Sequence, residues 1–439
     1  MLHCDERVLT LTNFGRSGSS QLELDPESLI TDKKRYQELM RNIPLRAMEA
    51  ADCNDIYADC DSSRTGLEKT TNRIDHPIFG LGGCGLQFTF SAKDFEQACQ
   101  VHDQFIPLGP LVLALSAATP VCKGKLVETD TRWASMCIAA DDRKADEKSN
   151  LVPRLGVTPM YLEDCPAVQM LNDRQLGSTD ELQPILLEHG VPPAAAKYLT
   201  HIICRDPLME TSHAADPAKF LNDSLEARER LLQLHVSTWW PHVRLKLPVV
   251  AAGNIEVPWR IEFRPIEAQP HDHENAAFGI CLRILQRAIL YYGLDLRIPI
   301  SAVENNMQRA NMRSAVIEQQ FWFSAKKQRH CEAGHWSFEG WANLADIFNG
   351  FSECGKQRWP GLLHIAERYL EACSIGDLSD SNQAEISGAL ALMAARASGK
   401  LETPARWMRA FLENHFPQKT ASDEEIPSKS YYALLSELS

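Results

Sequence analysis

Residues 259–265 read Trp259-Arg260-Ile261-Glu262-Phe263-Arg264-Pro265, and their alternation decides the fold class. Successive side chains of an extended strand point to opposite faces. Trp259, Ile261 and Phe263 therefore share one side, and Arg260, Glu262 and Arg264 share the other. Pro265 cannot donate to a ladder and ends the strand, which sets Arg264 near the sheet rim. The Arg–Glu–Arg row has two readings. One is a solvated antiparallel face laced by cross-strand ion pairs. The other is the floor of an anion site, where the carboxylate holds a divalent metal and guanidinium forks grip phosphate or carboxylate oxygens.

Outward from this strand, two further stretches alternate in the same way: Leu86-Gln87-Phe88-Thr89-Phe90 and Val243-Arg-Leu-Lys-Leu247. Gln87 and Thr89 fall opposite Leu86, Phe88 and Phe90, so Gln87 can face the same cavity as Glu262. Between these strands the pattern predicts a helix from Ser91 to about Phe105, a second from Leu111 to Ala118, a turn at Lys123-Gly-Lys and a strand over Thr131–Ala139. An amphipathic helix is expected over Asp32–Met48. Beyond Glu274 the chain turns helical. Apolar residues recur through Phe278, Cys281, Leu282, Leu285 and Ile289 until Gly293, which suits a helix end. A capping box at Ser301-Ala-Val-Glu304 opens a helix expected to reach Phe321. Two more close the chain, Glu385–Ala397 and one begun by Thr403 and Pro404. Strands first and helices later give α+β. The expected layout is a loosely organised lead-in (1–75), a sheet-containing core (76–300), a helical part (301–420) and a frayed tail (421–439).

Composition narrows the function. With 45 basic against 58 acidic side chains, the net charge of −13 leaves no electrostatic footprint for nucleic acid or an anionic membrane. A polyanionic ligand must then be met by a few local arginines. No apolar run reaches the roughly 18 residues of a membrane span, and the start lacks the pattern of a secretory signal. Thirteen cysteines lie singly, without a CxxC pair, as reduced cytoplasmic thiols do.

Other segments carry chemistry. Gly80-Leu-Gly-Gly-Cys84-Gly-Leu-Gln87 is either a flexible turn or a close backbone approach to a ligand, and no Gly-Lys-Ser/Thr makes it a phosphate loop. Cys84 is either a small residue or a reactive thiol. Arg132, read as lying within a strand, needs a partner. His271-Asp-His273-Glu reads as a helix start rather than a metal site, because neighbouring residues do not converge on one ion.

Taken in order, several stretches resemble the eukaryotic-type glutamate–cysteine ligase catalytic subunit. They include Gly82-Gly-Cys84-Gly-Leu-Gln87-Phe-Thr-Phe90, Arg132-Trp133 with Asp141-Asp-Arg143, Arg205-Asp-Pro-Leu208, Ser237-Thr-Trp-Trp240, Trp259 through Glu267, Glu274-Asn-Ala-Ala-Phe278, Trp359-Pro-Gly-Leu362 and Ala405-Arg-Trp-Met-Arg409. Weaker similarity reaches Asp25-Pro-Glu and Arg41-Asn-Ile43. The resemblance implies a partial glutamine-synthetase-like antiparallel sheet forming an active-site funnel ringed by helices. It implies a ligase that uses ATP and Mg²⁺ to join the glutamate γ-carboxylate to cysteine through a γ-glutamyl phosphate. By position, Glu262 and Gln87 become metal ligands, Arg264 and Arg132 hold glutamate and the transferring phosphoryl group, and Trp240 and Cys84 line the substrate pocket. A regulatory subunit becomes an expected partner.

This sequence departs from the family pattern in two places. Gly85 stands where a second cysteine is usual, and residues 1–75 contain no Gly-Asp-Glu-x-Glu strand. The expectation is therefore an N-terminally incomplete ligase. The alternative is a truncated family member without catalysis, acting as a binding or regulatory chain.

Overall fold

The computed structural model describes residues 30, 33–48, 77–122, 124–149, 151–177, 182–209, 225–251, 254–327, 337–353, 356–373, 379–415 and 426–438. Most of the expected lead-in lies outside them. The helices used below are α1 (Lys34–Met48), α2 (Phe95–Ser116), α3 (Trp133–Ala139), α4 (Leu225–Ser237), α5 (Asp272–Tyr292), α6 (Ile300–Asn311), α7 (Asp380–Ala397), α8 (Pro404–His415) and α9 (Ser428–Leu438). The strands are β1 (Phe88–Ser91), β2 (Val243–Lys246), β3 (Val249–Ala251), β4 (Asn254–Val257), β5 (Arg260–Phe263), β6 (Leu294–Asp295), β7 (Phe321–Lys327) and β8 (Ser337–Ala342). Helices packed around small, mostly antiparallel sheets make the fold α+β, as the strand and helix patterns require.

β5 is the centre of a three-stranded antiparallel sheet, flanked by β1 and β2. The register aligns Phe90, Ile261 and Leu245 in one row and Thr89, Glu262 and Arg244 in the next. Cross-strand neighbours share a face, so the sheet has one apolar and one polar side. The apolar side is buried under α2, where Phe105 meets Phe90 and Phe263 edge-to-face at 5.2 and 5.4 Å. β3 and β4 continue β2 and β5 as a separate hairpin. Pro248 and Pro258 stand at the junction, where missing N–H groups interrupt the ladder. A second three-stranded sheet, β6-β7-β8, lies later in the chain. The main core runs from Phe90 to Ala397 without a break near residue 300, so the core and helical parts expected on either side share one interior.

α2 corrects the sequence reading. Two helices separated at Pro107 were expected; one helix runs through both Pro107 and Pro110, capped by Asp94 rather than Ser91. Pro110 has no N–H to offer the Ile106 carbonyl, and His242 Nε2 takes its place at 2.9 Å. His242 Nδ1 accepts the Thr158 N–H at 2.9 Å, which fixes a neutral imidazole protonated at Nε2. Gly109 makes room for the ring: a Cβ there would sit 2.1 Å from His242 Cδ2.

Three other expectations change. Thr131–Ala139 is not a strand, because α3 buries Trp133, Met136 and Ala139 at helical spacing. α6 stops at Asn311, and Ser314 turns the chain with a positive φ of 50° held by its N–H to Asp130 Oδ2 at 2.8 Å. The tail is not wholly frayed, since α9 packs on α8 through Tyr431, Leu434 and Leu438. α1 and α5 form as expected, α5 ending at Gly293 in the left-handed region. No described helix is long and apolar enough to cross a membrane.

Substituting Gly109→Ala should lower stability by about 1–3 kcal/mol through overpacking against His242, measured by chemical unfolding. Burial pushes the imidazoles of His201, His235 and His242 down to about 4. The unfolded chain, with imidazoles near 6.5, therefore binds protons first as pH falls. Their contribution is complete above about pH 6.5 and is lost toward pH 4. The melting temperature should fall across that window, and His242→Gln should make the slope shallower; an identical slope contradicts the assignment.

Candidate active site

Glu262 sits at the middle of the sheet's polar side, and cationic side chains surround it. Arg264 Nη1 lies 3.1 Å and Arg244 Nη1 3.6 Å from its Oε2, while Lys246 Nζ donates to Oε1. Gln87 joins the group by accepting a hydrogen bond from Arg264 Nη1 at 3.3 Å. The sheet explains the convergence. Glu262 faces Arg244 directly across the β5–β2 ladder, Lys246 lies two rows on and so on the same face, and the backbone of Arg264 is pinned by donating to the His242 carbonyl at 2.9 Å. Burial raises the Glu262 carboxyl, but the Lys246 hydrogen bond and the charges of Arg264, Lys246 and Arg244 outweigh it and hold the group below the usual carboxylate range.

Arg132 lies behind this cluster and is buried. Its backbone N–H donates to Glu267 Oε1 at 2.5 Å, and its Nη1 reaches the same oxygen at 3.4 Å. Its Nη2 meets the Arg264 carbonyl at 3.4 Å. Gly85 gives the guanidinium its place, because a Cβ there would fall 2.0 Å from Arg132 Nη2. This gives the glycine-rich stretch a structural use at one position: the backbone comes close to a cation. Burial lowers the Arg132, Arg244 and Arg264 guanidiniums from their ordinary value.

Four cations thus stand against two carboxylates, Glu262 and Glu267. Among the described residues the buried Nε atoms of Arg132, Arg244 and Arg264 have no hydrogen-bond partner, as is also true of Arg205 and Arg396 elsewhere in the fold. Unpaired buried donors are costly, and an oxyanion satisfies both the donors and the surplus charge. The arrangement can bind carboxylate or phosphoryl oxygens and neutralise charge that develops on them. Arg260, the third member of the predicted row, is used elsewhere. Its Nη2 and Nε donate to the Leu247 and Pro258 carbonyls at 2.9 and 3.2 Å and bridge the proline-interrupted junction.

The remaining predicted residues occupy the surroundings. Cys84 is exposed on the glycine-rich turn. Trp240 is half-buried among apolar residues of α1, Leu39, Met40 and Ile43, and its Nε1 donates to the Ser237 carbonyl at 2.9 Å. His271 precedes α5, whose first turn carries Asp272 and Glu274. Sequence reasoning missed Arg244, Lys246 and Glu267. The alternation of Val243-Arg-Leu-Lys already put the first two on a polar face; only the register sets them on Glu262.

Among the described residues no three His, Cys, Asp or Glu side chains converge as metal ligands. Mg²⁺ demands near-octahedral oxygen coordination, and both oxygens of Glu262 are engaged by cations. The described residues do not by themselves fit a divalent metal.

A family model described as glutamate-cysteine ligase matches residues 6–439. The glutamate–cysteine ligase catalytic subunit of Homo sapiens is 31% identical, over 95% of this chain and 68% of its own length. Glutamate–cysteine ligase of Schizosaccharomyces pombe is 33% identical, over 96% and 67% respectively. That of Dictyostelium discoideum is 26% identical, over 94% and 72%. The match runs through both the sheet and the residues gathered on it, and the chain belongs to the glutamate–cysteine ligase family.

Proposed function

We propose that this chain joins the γ-carboxylate of glutamate to the amino group of cysteine at the expense of ATP, the first step of glutathione synthesis. Family membership supplies the reaction class. The observation that supports its location is the buried cation cluster around Glu262, where three guanidinium Nε–H groups have no partner among the described residues. In the proposed reaction a γ-carboxylate oxygen attacks the terminal phosphorus of ATP and ADP leaves. The cysteine nitrogen then attacks the acyl phosphate, loses a proton and displaces inorganic phosphate. Each stage places negative charge on oxygens, where fixed guanidinium and ammonium groups help most.

Arg264 and Lys246 are assigned the contacts with the transferring phosphoryl group. Arg132, fixed by Glu267 and Gly85, holds the geometry of Arg264 from behind and adds positive potential for the glutamate. Trp240 and Cys84 are proposed as parts of the substrate pocket wall. Gln87 and Glu262, expected from the resemblance to bind metal, act in this reading on Arg264: Glu262 partly neutralises the cations and Gln87 orients the guanidinium. Mg²⁺ is proposed only as the companion of the nucleotide, and no step is routed through it. The sheet is proposed as part of a glutamine-synthetase-like funnel, the setting as cytoplasmic, and a regulatory subunit as a further partner. Each relative named above bears the ligase name, so the non-catalytic reading is not favoured.

Purified protein supplied with glutamate, cysteine, ATP and Mg²⁺ should form γ-glutamylcysteine. Arg264→Ala should lower kcat/KM by about 10²–10³, the usual loss for one charge-stabilising donor, while the melting temperature shifts by only a few degrees. Lys246→Ala should raise the KM for ATP more than the KM for cysteine. Kinetics unchanged in both variants would move the chemistry away from this face.

A further inference from the structure

The run Ala405-Arg-Trp-Met-Arg409, one of the ordered motifs, has no part in the site described so far. On α8, Ala405, Met408 and Leu412 recur at helical spacing and form the buried apolar stripe. Arg409 falls on the same stripe and is 5% exposed. A guanidinium at such depth has to be answered by acceptors. Arg409 Nε donates to Asp130 Oδ1 at 2.6 Å, and Nη2 donates to the Thr129 carbonyl at 2.8 Å and to the Val127 carbonyl. One side chain thus grips a carboxylate and two backbone carbonyls within residues 127–130, and Asp130 lies 279 positions earlier in the chain.

That segment leads directly to Arg132. Asp130 is buried; its Oδ2 accepts the Ser314 N–H at 2.8 Å, and its own N–H donates to the Asn311 carbonyl at 3.0 Å. Thr131 Oγ1 donates to Asn311 Oδ1 at 2.5 Å, and the next residue is Arg132, whose N–H meets Glu267. A second route starts at the Asp130 carbonyl, which accepts the Thr119 N–H at 2.9 Å, while the Thr119 hydroxyl donates to Glu267 Oε2 at 2.8 Å. Both chains of contact end on the carboxylate that anchors Arg132. Without Arg409 the Asp130 carboxylate loses a counter-charge and two carbonyls lose a donor, just where the chain enters α3. A buried ion pair adds little net stability over well-packed apolar side chains. A planar fork matched to fixed acceptors therefore contributes geometry above all.

We propose that Arg409 is a positioning residue for Arg132. By fixing residues 127–131 it holds the Arg132 guanidinium, and the Glu267 that orients it, in place for glutamate without touching any substrate. The inference rests on reading Arg132 as the side chain that serves glutamate, and the experiment separates the two. Steady-state kcat and KM are measured on the full 1–439 chain and its variants. Arg409→Lys keeps a charge beside Asp130 but lacks the planar fork. Arg409→Met/Asp130→Asn removes both charges together, leaves no buried charge unpaired, and stands in if the lysine variant does not fold. Arg132→Lys, alone and combined with each of these, completes a double-mutant cycle.

The expected result is a KM for glutamate raised about tenfold by either Arg409 variant, part of the ~10²-fold that a misplacement of about 1 Å can cost, with kcat and the KM for ATP nearly unchanged. The combined variants should show a glutamate KM no higher than Arg132→Lys alone, because both changes act through one guanidinium. Losses that multiply overturn the inference. An equal rise in the KM for ATP overturns it too, as does a fall in kcat with every KM unchanged, which marks only a smaller folded fraction. Unaltered glutamate kinetics in the folded Arg409 variants overturn it while leaving the role of Arg132 intact. If Arg132→Lys itself leaves the glutamate KM unchanged, the reading of Arg132 falls and the inference with it.

Discussion

The buried carboxylate of Glu267 is the constraint on which the site depends. It is fully buried and accepts from the Ala118 N–H at 2.7 Å, the Thr119 hydroxyl at 2.8 Å and the Arg132 N–H at 2.5 Å. The chain leaving α2, the chain entering α3 and the chain leaving β5 are thereby tied to one group. An uncompensated charge at such depth is strongly destabilising, so each donor is held where it can answer it. Burial still raises the carboxyl, and the Arg132 charge with these hydrogen bonds acts against the rise. Arg132 is drawn down onto Gly85 and against the carbonyls of Arg264 and Pro265 at 3.4 and 3.5 Å. The orientation of Arg264, and with it the polar face of the sheet, follows from that anchor.

A second constraint of the same kind works on the opposite side of the sheet. Pro110 deprives α2 of a backbone hydrogen bond, and His242, just before β2, restores it from outside the helix. Because the imidazole is neutral and held at both nitrogens, it also fixes the height of β2 relative to α2. The site thus lies between two buried polar locks, Glu267 beneath Arg132 and His242 beneath β2. Such locks suit a cluster of like charges, which would otherwise push its members apart. An acidic chain of net charge −13 can therefore keep a local positive surface for a polyanion.

How much of this was legible depended on whether the signal was local. The alternation around Glu262 and Gln87 gave both strands and their polar faces, because a period of two needs only neighbours in sequence. The stop at Gly293 and the start at Thr403-Pro404 were legible for the same reason. α2 was misread because proline is a local helix breaker, and the group that rescues it lies 136 residues away. Thr131–Ala139 was misread because a short apolar run does not separate strand from helix until its partners are known. The contact of Arg132 with Glu267 was not legible either, because the two residues lie 135 positions apart and only the fold brings them together.

The sequence by itself determined the reaction family, through ordered motifs from Gly82 to Arg409, and the two-sided character of β1, β2 and β5. Those properties reside in residue identity and spacing. Only the tertiary structure decided that Arg244 and Lys246 meet Glu262, that Arg260 serves the hairpin junction, and that three guanidinium Nε–H groups of the cluster have no partner among the described residues. Strand register and burial decide these points, and both are set by contacts between segments far apart in the chain.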